Sequence, residues 1–126
     1  IEAATEQLQR NKFLMLTGAS GEGKSSLIYA GLIPNARAGF FKARYTNWVV
    51  SDFRPERTPV RNMAAALGKT FGVKPNTIET ELRRGYSSLI DLYTNSPFFI
   101  DETDDTFKSL PDVERKSKVR GAANLL

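Results

Sequence analysis

The pattern of apolar and polar residues predicts short buried strands separated by amphipathic helices. Residues 13–17 (Phe-Leu-Met-Leu-Thr) are an apolar run without polar alternation, which is typical of a strand buried on both faces of a parallel sheet. Residues 47–52 and 122–126 are two further strand candidates. The second of these candidates runs to the last residue, so we interpret the 126 residues as a fragment.

Helical spacing of apolar residues covers much of the remaining chain. The predicted helices span residues 1–10, 24–33, 59–71, 77–84, 86–94 and 111–120. We expect Pro34 to end the second helix, because proline lacks the amide hydrogen that a helix interior needs. Thr58 is expected to cap the third helix with Pro59 in its first turn, and Asn76 or Thr77 to cap the fourth.

Composition excludes several classes of protein. The chain has no Cys and no His, which excludes disulfide frameworks, thiolate zinc sites and histidine-based catalysis. No apolar run approaches the roughly 20 residues of a membrane helix, and the first residues look like neither a signal nor a transit peptide. We therefore expect a cytoplasmic protein with no membrane partner.

The net charge of +4 comes from one stretch of the chain. Residues 37–61 hold six basic and two acidic residues, and the rest of the chain is neutral. A basic stretch can meet nucleic acid or phosphate, but no nucleic-acid-binding signature accompanies this one. We favour a solvated loop surface and do not expect a nucleic-acid partner.

The most informative segment is a glycine-rich loop between the first strand candidate and the second helix. It matches the Walker A pattern G-x-x-x-x-G-K-[ST] in full. Its residues are Gly18, Ala19, Ser20, Gly21, Glu22, Gly23, Lys24 and Ser25. Glycines let consecutive backbone amides surround a phosphate group, and the helix that follows directs its positive end at the same group.

The motif assigns roles to three side chains after the glycines. Lys24 is predicted to place its charge between the β- and γ-phosphates and so to act in catalysis, and Ser25 to bind Mg²⁺. Ser26 is predicted to donate to the α-phosphate. We therefore expect ATP and Mg²⁺ as cofactors. A guanine-reading Asn-Lys-x-Asp motif is absent from the sequence, which favours ATP over GTP.

Asp101 and Glu102 follow three apolar residues and could be mistaken for the magnesium-binding carboxylates of a Walker B strand. The apolar run is short, Pro97 precedes it, and further acidic residues follow. We therefore interpret residues 98–102 as a loop whose aromatic residues touch the core, and predict that Asp101 and Glu102 lie away from the metal. The acidic residue that completes the site is expected after Leu126.

Three pieces of the sequence resemble the STAND class of signalling NTPases, in particular the bacterial novel STAND group. They are residues 18–27, residues 30–34 (Ala-Gly-Leu-Ile-Pro) and residues 53–59 (Phe-Arg-Pro-Glu-Arg-Thr-Pro), and the likeness covers nearly the whole chain. The resemblance implies a three-layer α/β P-loop fold with a parallel sheet, incomplete at both ends. Residues 1–126 would be the N-terminal portion of the NTPase domain.

The resemblance also implies an activity. Family members act as ATP-dependent switches, so we expect the full-length protein to hydrolyse ATP and to self-associate through its NTPase domain. Because the Walker B acid is expected beyond residue 126, we do not expect residues 1–126 alone to hydrolyse ATP.

Three other interpretations stay open at this stage. A small-molecule P-loop kinase would use Asp52 and Arg54, after the second strand candidate, to hold its phosphoryl acceptor. A nucleic-acid-handling ATPase would use the basic stretch of residues 37–61. A non-catalytic interaction module would keep nucleotide for stability alone.

Overall fold

The computed structural model describes residues 2–126, which form two compact units. Residues up to 46 make the N-terminal unit and residues 47–126 the C-terminal unit. Ile1, which was expected at the start of the first helix, lies outside the described residues.

The N-terminal unit contains a separate helix and a longer helical run. Helix α1 (Glu2–Asn11) has the predicted position, with Glu2 in its first turn and Arg10 in its last, as the helix dipole favours. The helical run begins with α2 (Lys24–Leu27), widens into one π-helical turn (Ile28–Leu32) and ends with α3 (Ile33–Arg37).

The prediction that Pro34 ends the second helix is wrong. The chain stays helical through Pro34 as far as Arg37. The preceding π turn explains this, because the Ile33 amide donates to the carbonyl of Ile28, five residues back. A π turn contains one residue more than an α-helical turn. This moves the carbonyl with which the proline ring would collide in a regular α-helix.

The prediction of a buried strand over residues 13–17 is also wrong in this structure. No strand forms there, and Phe13 and Met15 are 68% and 70% exposed while Leu14 and Leu16 are half-buried. A strand needs a neighbouring backbone to bond with. Within residues 2–126, the amides of residues 13–18 donate no backbone hydrogen bond.

In the sequence of the C-terminal unit, the helices lie between two short strands. Strand β1 spans Asn47–Val49 and strand β2 spans Ala123–Leu125. Between them lie α4 (Pro59–Phe71), α5 (Pro75–Arg84), α6 (Ser88–Thr94), α7 (Asp105–Lys108) and α8 (Asp112–Gly121). Helix α4 spans the predicted residues, with Pro59 in its first turn and Gly72 as a left-handed C-cap. Thr58 stands at its N-cap position, but its side chain does not make the predicted capping hydrogen bond.

Strands β1 and β2 pair in parallel, which confirms the prediction that the last residues of the sequence begin a strand. Asn47 lies opposite Ala123 and Val49 opposite Leu125. The ladder continues past Leu125, because the Leu126 amide donates to the carbonyl of Val49 at 3.0 Å. Strand β1 is shorter than predicted, since residues 50–52 lie outside it.

Two asparagine side chains form hydrogen bonds across the start of this strand pair. The Nδ2 of Asn47 donates to the carbonyl of Arg120 at 2.7 Å. In return, the Nδ2 of Asn124 donates to the carbonyl of Asn47 at 3.0 Å. Asn124 is buried, so this bond satisfies an amide that would otherwise be costly to remove from water.

The hydrophobic core of the C-terminal unit lies between α4 and α5. Ala64, Leu67 and Ile78 are its buried centre, with 0%, 3% and 1% of their surfaces exposed. Half-buried apolar side chains surround them: Met63, Phe71, Val73, Leu82, Leu89 and Leu92. The Glu79 carboxylate on α5 also pairs with Arg61 on α4 at 3.8 Å, which adds a polar contact at the edge of this interface.

Further element boundaries between α4 and α8 differ from the predictions. Helix α5 begins at Pro75 rather than at Asn76 or Thr77, because proline is well suited to a first helical turn. Helix α6 begins at Ser88. Helix α7 lies where no helix was predicted, and the Asp104 side chain accepts from the Thr106 amide as its N-cap.

The described fold is therefore a set of helices with a small two-stranded parallel sheet. Such a sheet is compatible with part of an NTPase domain, in which parallel strands are joined by helical crossovers. The three-layer arrangement remains a prediction.

Candidate phosphate-binding site

The glycine-rich loop turns sharply before it enters the helical run. Gly21 and Gly23 have φ angles of 85° and 83°, in the left-handed region where a Cβ atom causes strain. The amide of Glu22 donates to the carbonyl of Ala19 at 3.3 Å and closes a tight turn within the loop. The two glycines thus allow a curvature that residues with side chains would resist.

The helical run starts immediately after this turn. Gly23 is the N-cap of α2 and its carbonyl accepts from the Leu27 amide at 2.9 Å. No side chain caps this end of the helix. The first amides of a helix carry partial positive charge and lack partners within the helix, so the run presents donors next to the glycine-rich turn.

The side chain of Lys24 folds back onto the start of the loop. Its Nζ donates to the carbonyl of Gly18 at 2.6 Å and to the carbonyl of Ala19 at 2.7 Å. The ammonium group therefore lies beside the loop rather than out in solvent, and the side chain is half-buried. This arrangement keeps a full positive charge at the place where a phosphate is expected.

The side chain of Glu22 also turns onto the loop, which the sequence analysis did not foresee. Its Oε2 accepts from the amide of Ala19 at 2.9 Å. The same oxygen occupies the space that a side chain at position 18 would need, so Gly18 makes room for it. A negative residue inside an anion-binding motif was the signal available in the sequence.

Three serines with predicted roles are exposed to solvent. They are Ser20 in the loop and Ser25 and Ser26 in the first turn of α2. The hydroxyl oxygen of Ser25 is a hard ligand of the kind that Mg²⁺ prefers, so its chemistry fits a metal held jointly with phosphate. Among residues 2–126, no group of three or more acidic side chains converges to hold a metal by itself.

Residues 98–102 form a loop, as predicted. Phe98 and Phe99 are half-buried, and their rings lie 5.8 Å from that of Phe71 and 5.7 Å from that of Tyr93. The Oδ1 of Asp101 accepts from the Thr103 hydroxyl at 2.6 Å in a local turn. These residues belong to the C-terminal unit, so their position relative to Ser25 remains a prediction.

The charged residues on which the alternative interpretations depend are exposed. Asp52 and Arg54 lie in the irregular segment after β1. In the basic stretch, Arg61 pairs with Glu79. This ion pair offsets part of the positive charge that a nucleic acid would meet.

An open groove of about 560 Å³ lies in the C-terminal unit, beside α8. Its walls carry both signs of charge: Glu102 and Asp112 are acidic, and Arg115, Lys116 and Arg120 are basic. Arg115 forms an ion pair with Asp112 in the same wall. The mixed charge makes this groove a weaker candidate for a triphosphate than the glycine-rich loop.

A comparison with known proteins shows the family of the chain. The sequence profile of the family described as Novel STAND NTPase 1 matches residues 1–123. The chain belongs to the novel STAND NTPase 1 family. The resemblance stated from the three sequence pieces is therefore confirmed.

A second comparison finds a curated relative that is similar to part of the chain. The chain is 33% identical, over 73 residues, to a protein from Caldanaerobacter subterraneus subsp. tengcongensis described as an ABC transporter ATP-binding protein. The match covers 56% of this chain but 12% of that protein. No solved structure matches the chain significantly. In the part of the chain that the structure describes, no helix is long and apolar enough to cross a membrane.

Proposed function

We propose that this chain is the ATP-binding part of a STAND-type signalling NTPase, a cytoplasmic switch controlled by its nucleotide. The observation that carries the proposal is the complete Walker A sequence folded as a glycine turn at the start of a helical run, with the Lys24 ammonium against the loop. Membership of the NTPase family supports the same conclusion.

The proposed site uses residues 18–26. The backbone of the loop and the first amides of α2 surround the phosphates, and Lys24 leaves its two carbonyl partners to bind between the β- and γ-phosphates. Ser25 provides one oxygen ligand to Mg²⁺, which neutralises phosphate charge when it is bound. Ser26 donates to the α-phosphate.

The proposed switch concerns the full-length protein, of which this chain would be one part. A γ-phosphate can order segments that relax after hydrolysis, so bound ATP would favour a self-associating state of the full-length protein. We propose that residues 1–126 are the N-terminal portion of the three-layer NTPase domain, with the Walker B carboxylate contributed by residues after Leu126. The parallel pairing of β1 and β2 supports a sheet of this type.

The direct test replaces Lys24 by alanine and measures Mg·ATP affinity by calorimetry. We expect affinity to fall at least about a hundredfold, because the change removes the only full positive charge that the motif directs at the phosphates. Lys42→Ala is the matched control, since it removes an exposed lysine from the same unit with the same change in net charge.

Circular dichroism of both variants checks that the helices persist. The proposal is overturned if Lys24→Ala, still folded, binds Mg·ATP as tightly as Lys42→Ala does.

A further inference from the structure

The carboxylate of Glu22 and the ammonium of Lys24 act on the same short stretch of backbone. Glu22 accepts the amide hydrogen of Ala19, while Lys24 donates to the carbonyls of Gly18 and Ala19. Two side chains of the loop, the anionic Glu22 and the cationic Lys24, therefore hold the backbone of its first two residues.

A carboxylate and a phosphate seek the same partners. Both are anionic acceptors, and both are favoured by backbone amides and by the positive end of a helix. The Glu22 carboxylate lies in the space that a side chain at position 18 would fill, so it brings negative charge to the start of the loop where phosphate charge is expected. A carboxylate and a phosphate bound to the same loop would repel each other even when solvent screens them.

We propose that Glu22 is an internal competitor for the phosphate site and thereby sets the nucleotide affinity of the loop. Its side chain must leave the Ala19 amide before the phosphates bind fully. This inference rests on the proposed function, because it concerns the regulation of that same site.

The exposure of Glu22 determines the size of the effect. Glu22 is solvent-exposed, and exposed charges contribute little to stability or binding because water screens them. The carboxylate therefore lowers affinity without abolishing it. Since the repulsion acts on phosphate charge, it weakens binding of a triphosphate more than binding of a monophosphate.

The alternative role for Glu22 is that of a positioning residue that keeps the loop in its binding shape. Two variants separate the roles. Glu22→Gln keeps an acceptor oxygen for the Ala19 amide but removes the charge, whereas Glu22→Ala removes both. A competitor is relieved by either change, while a positioning residue is preserved by glutamine and lost with alanine.

The experiment measures Mg·ATP and AMP affinities of the unmodified chain and of both Glu22 variants by calorimetry. We expect both variants to bind Mg·ATP about three- to tenfold tighter, with a smaller gain in the affinity for AMP. Glu6→Gln, which neutralises an exposed carboxylate on α1, is the charge-matched control and should leave both affinities as they are.

The possible results test the competitor role of Glu22 and the proposed function separately. If the unmodified chain binds Mg·ATP but Glu22→Gln binds no tighter, or Glu22→Ala binds more weakly, the competitor role is wrong and the proposed function stands. If the Glu6→Gln control tightens binding equally, net charge explains the gain and the competitor role is also wrong. If neither the unmodified chain nor any variant binds Mg·ATP, the proposed function itself fails.

Discussion

The glycine-rich loop and the α4–α5 core show two different ways in which sequence determines structure. The loop is exposed, and its shape depends on glycine φ angles and on hydrogen bonds between residues at most six positions apart. The core is buried, and it forms because Ala64 and Leu67 on α4 meet Ile78 on α5. The structure of the loop depends on local chemistry, whereas that of the core depends on packing.

This difference separates function from stability within one chain. Substitutions in the loop should change ligand binding while costing little stability, because few buried contacts are lost there. Substitutions in the core should do the reverse. The predictions below test each side of that contrast, beginning with the larger effect.

Replacing Ile78 by alanine should destabilise the C-terminal unit by about 2–5 kcal/mol, because it removes buried methyl and methylene groups and leaves a cavity. Ile78 is the largest fully buried side chain among the described residues. Urea unfolding followed by the fluorescence of Trp48 measures the loss. Trp48 is the single tryptophan of the chain and lies in β1 of the same unit.

Ile90→Ala provides the matched control for this substitution. Ile90 is on α6 and 64% exposed, so the same chemical change there should alter the free energy of unfolding by less than about 0.5 kcal/mol. Equal losses at the two positions would show that the α4–α5 core is not what stabilises this unit.

Replacing Ser25 by alanine should weaken ATP binding about tenfold in the presence of Mg²⁺, because the metal loses one oxygen ligand. Without Mg²⁺, the affinity should stay within about twofold of the unmodified chain. Calorimetric titrations with magnesium and with a chelator give the two values.

Ser26→Ala is the control for this experiment, since it removes the neighbouring hydroxyl of the same turn. Its effect should be the same with and without Mg²⁺, because Ser26 is proposed to contact phosphate and not metal. A Ser25→Ala variant that loses affinity equally in both conditions would contradict the assignment of Ser25 to the metal.

Local features of this molecule could be predicted from the sequence more readily than features that depend on distant partners. The loop glycines, the start of α4 at Pro59 and its end at Gly72 follow from backbone chemistry within a few residues. The strand over residues 123–125 was predicted from its apolar pattern and found beside β1.

The features that the sequence did not predict correctly also have physical reasons. Residues 13–17 have a strand-like composition but no backbone partner among the described residues, and a strand cannot exist without one. Pro34 stays inside a helix because the π turn before it rearranges the hydrogen bonds, which single-residue propensities do not reveal. The inward turn of Glu22 depends on the space over Gly18, a three-dimensional fact.

The central claim is that residues 18–26 bind nucleotide phosphates. It is tested most directly by following the backbone amide signals of the isotopically labelled chain by nuclear magnetic resonance during a titration with Mg·ATP. We predict that the largest shifts occur at residues 18–27, where loop and helix amides meet the phosphates. The amides of Asp101 and Glu102 and of the groove residues Arg115 and Arg120 should change little. Saturable binding with its largest shifts around that groove, and none in the loop, would contradict the account.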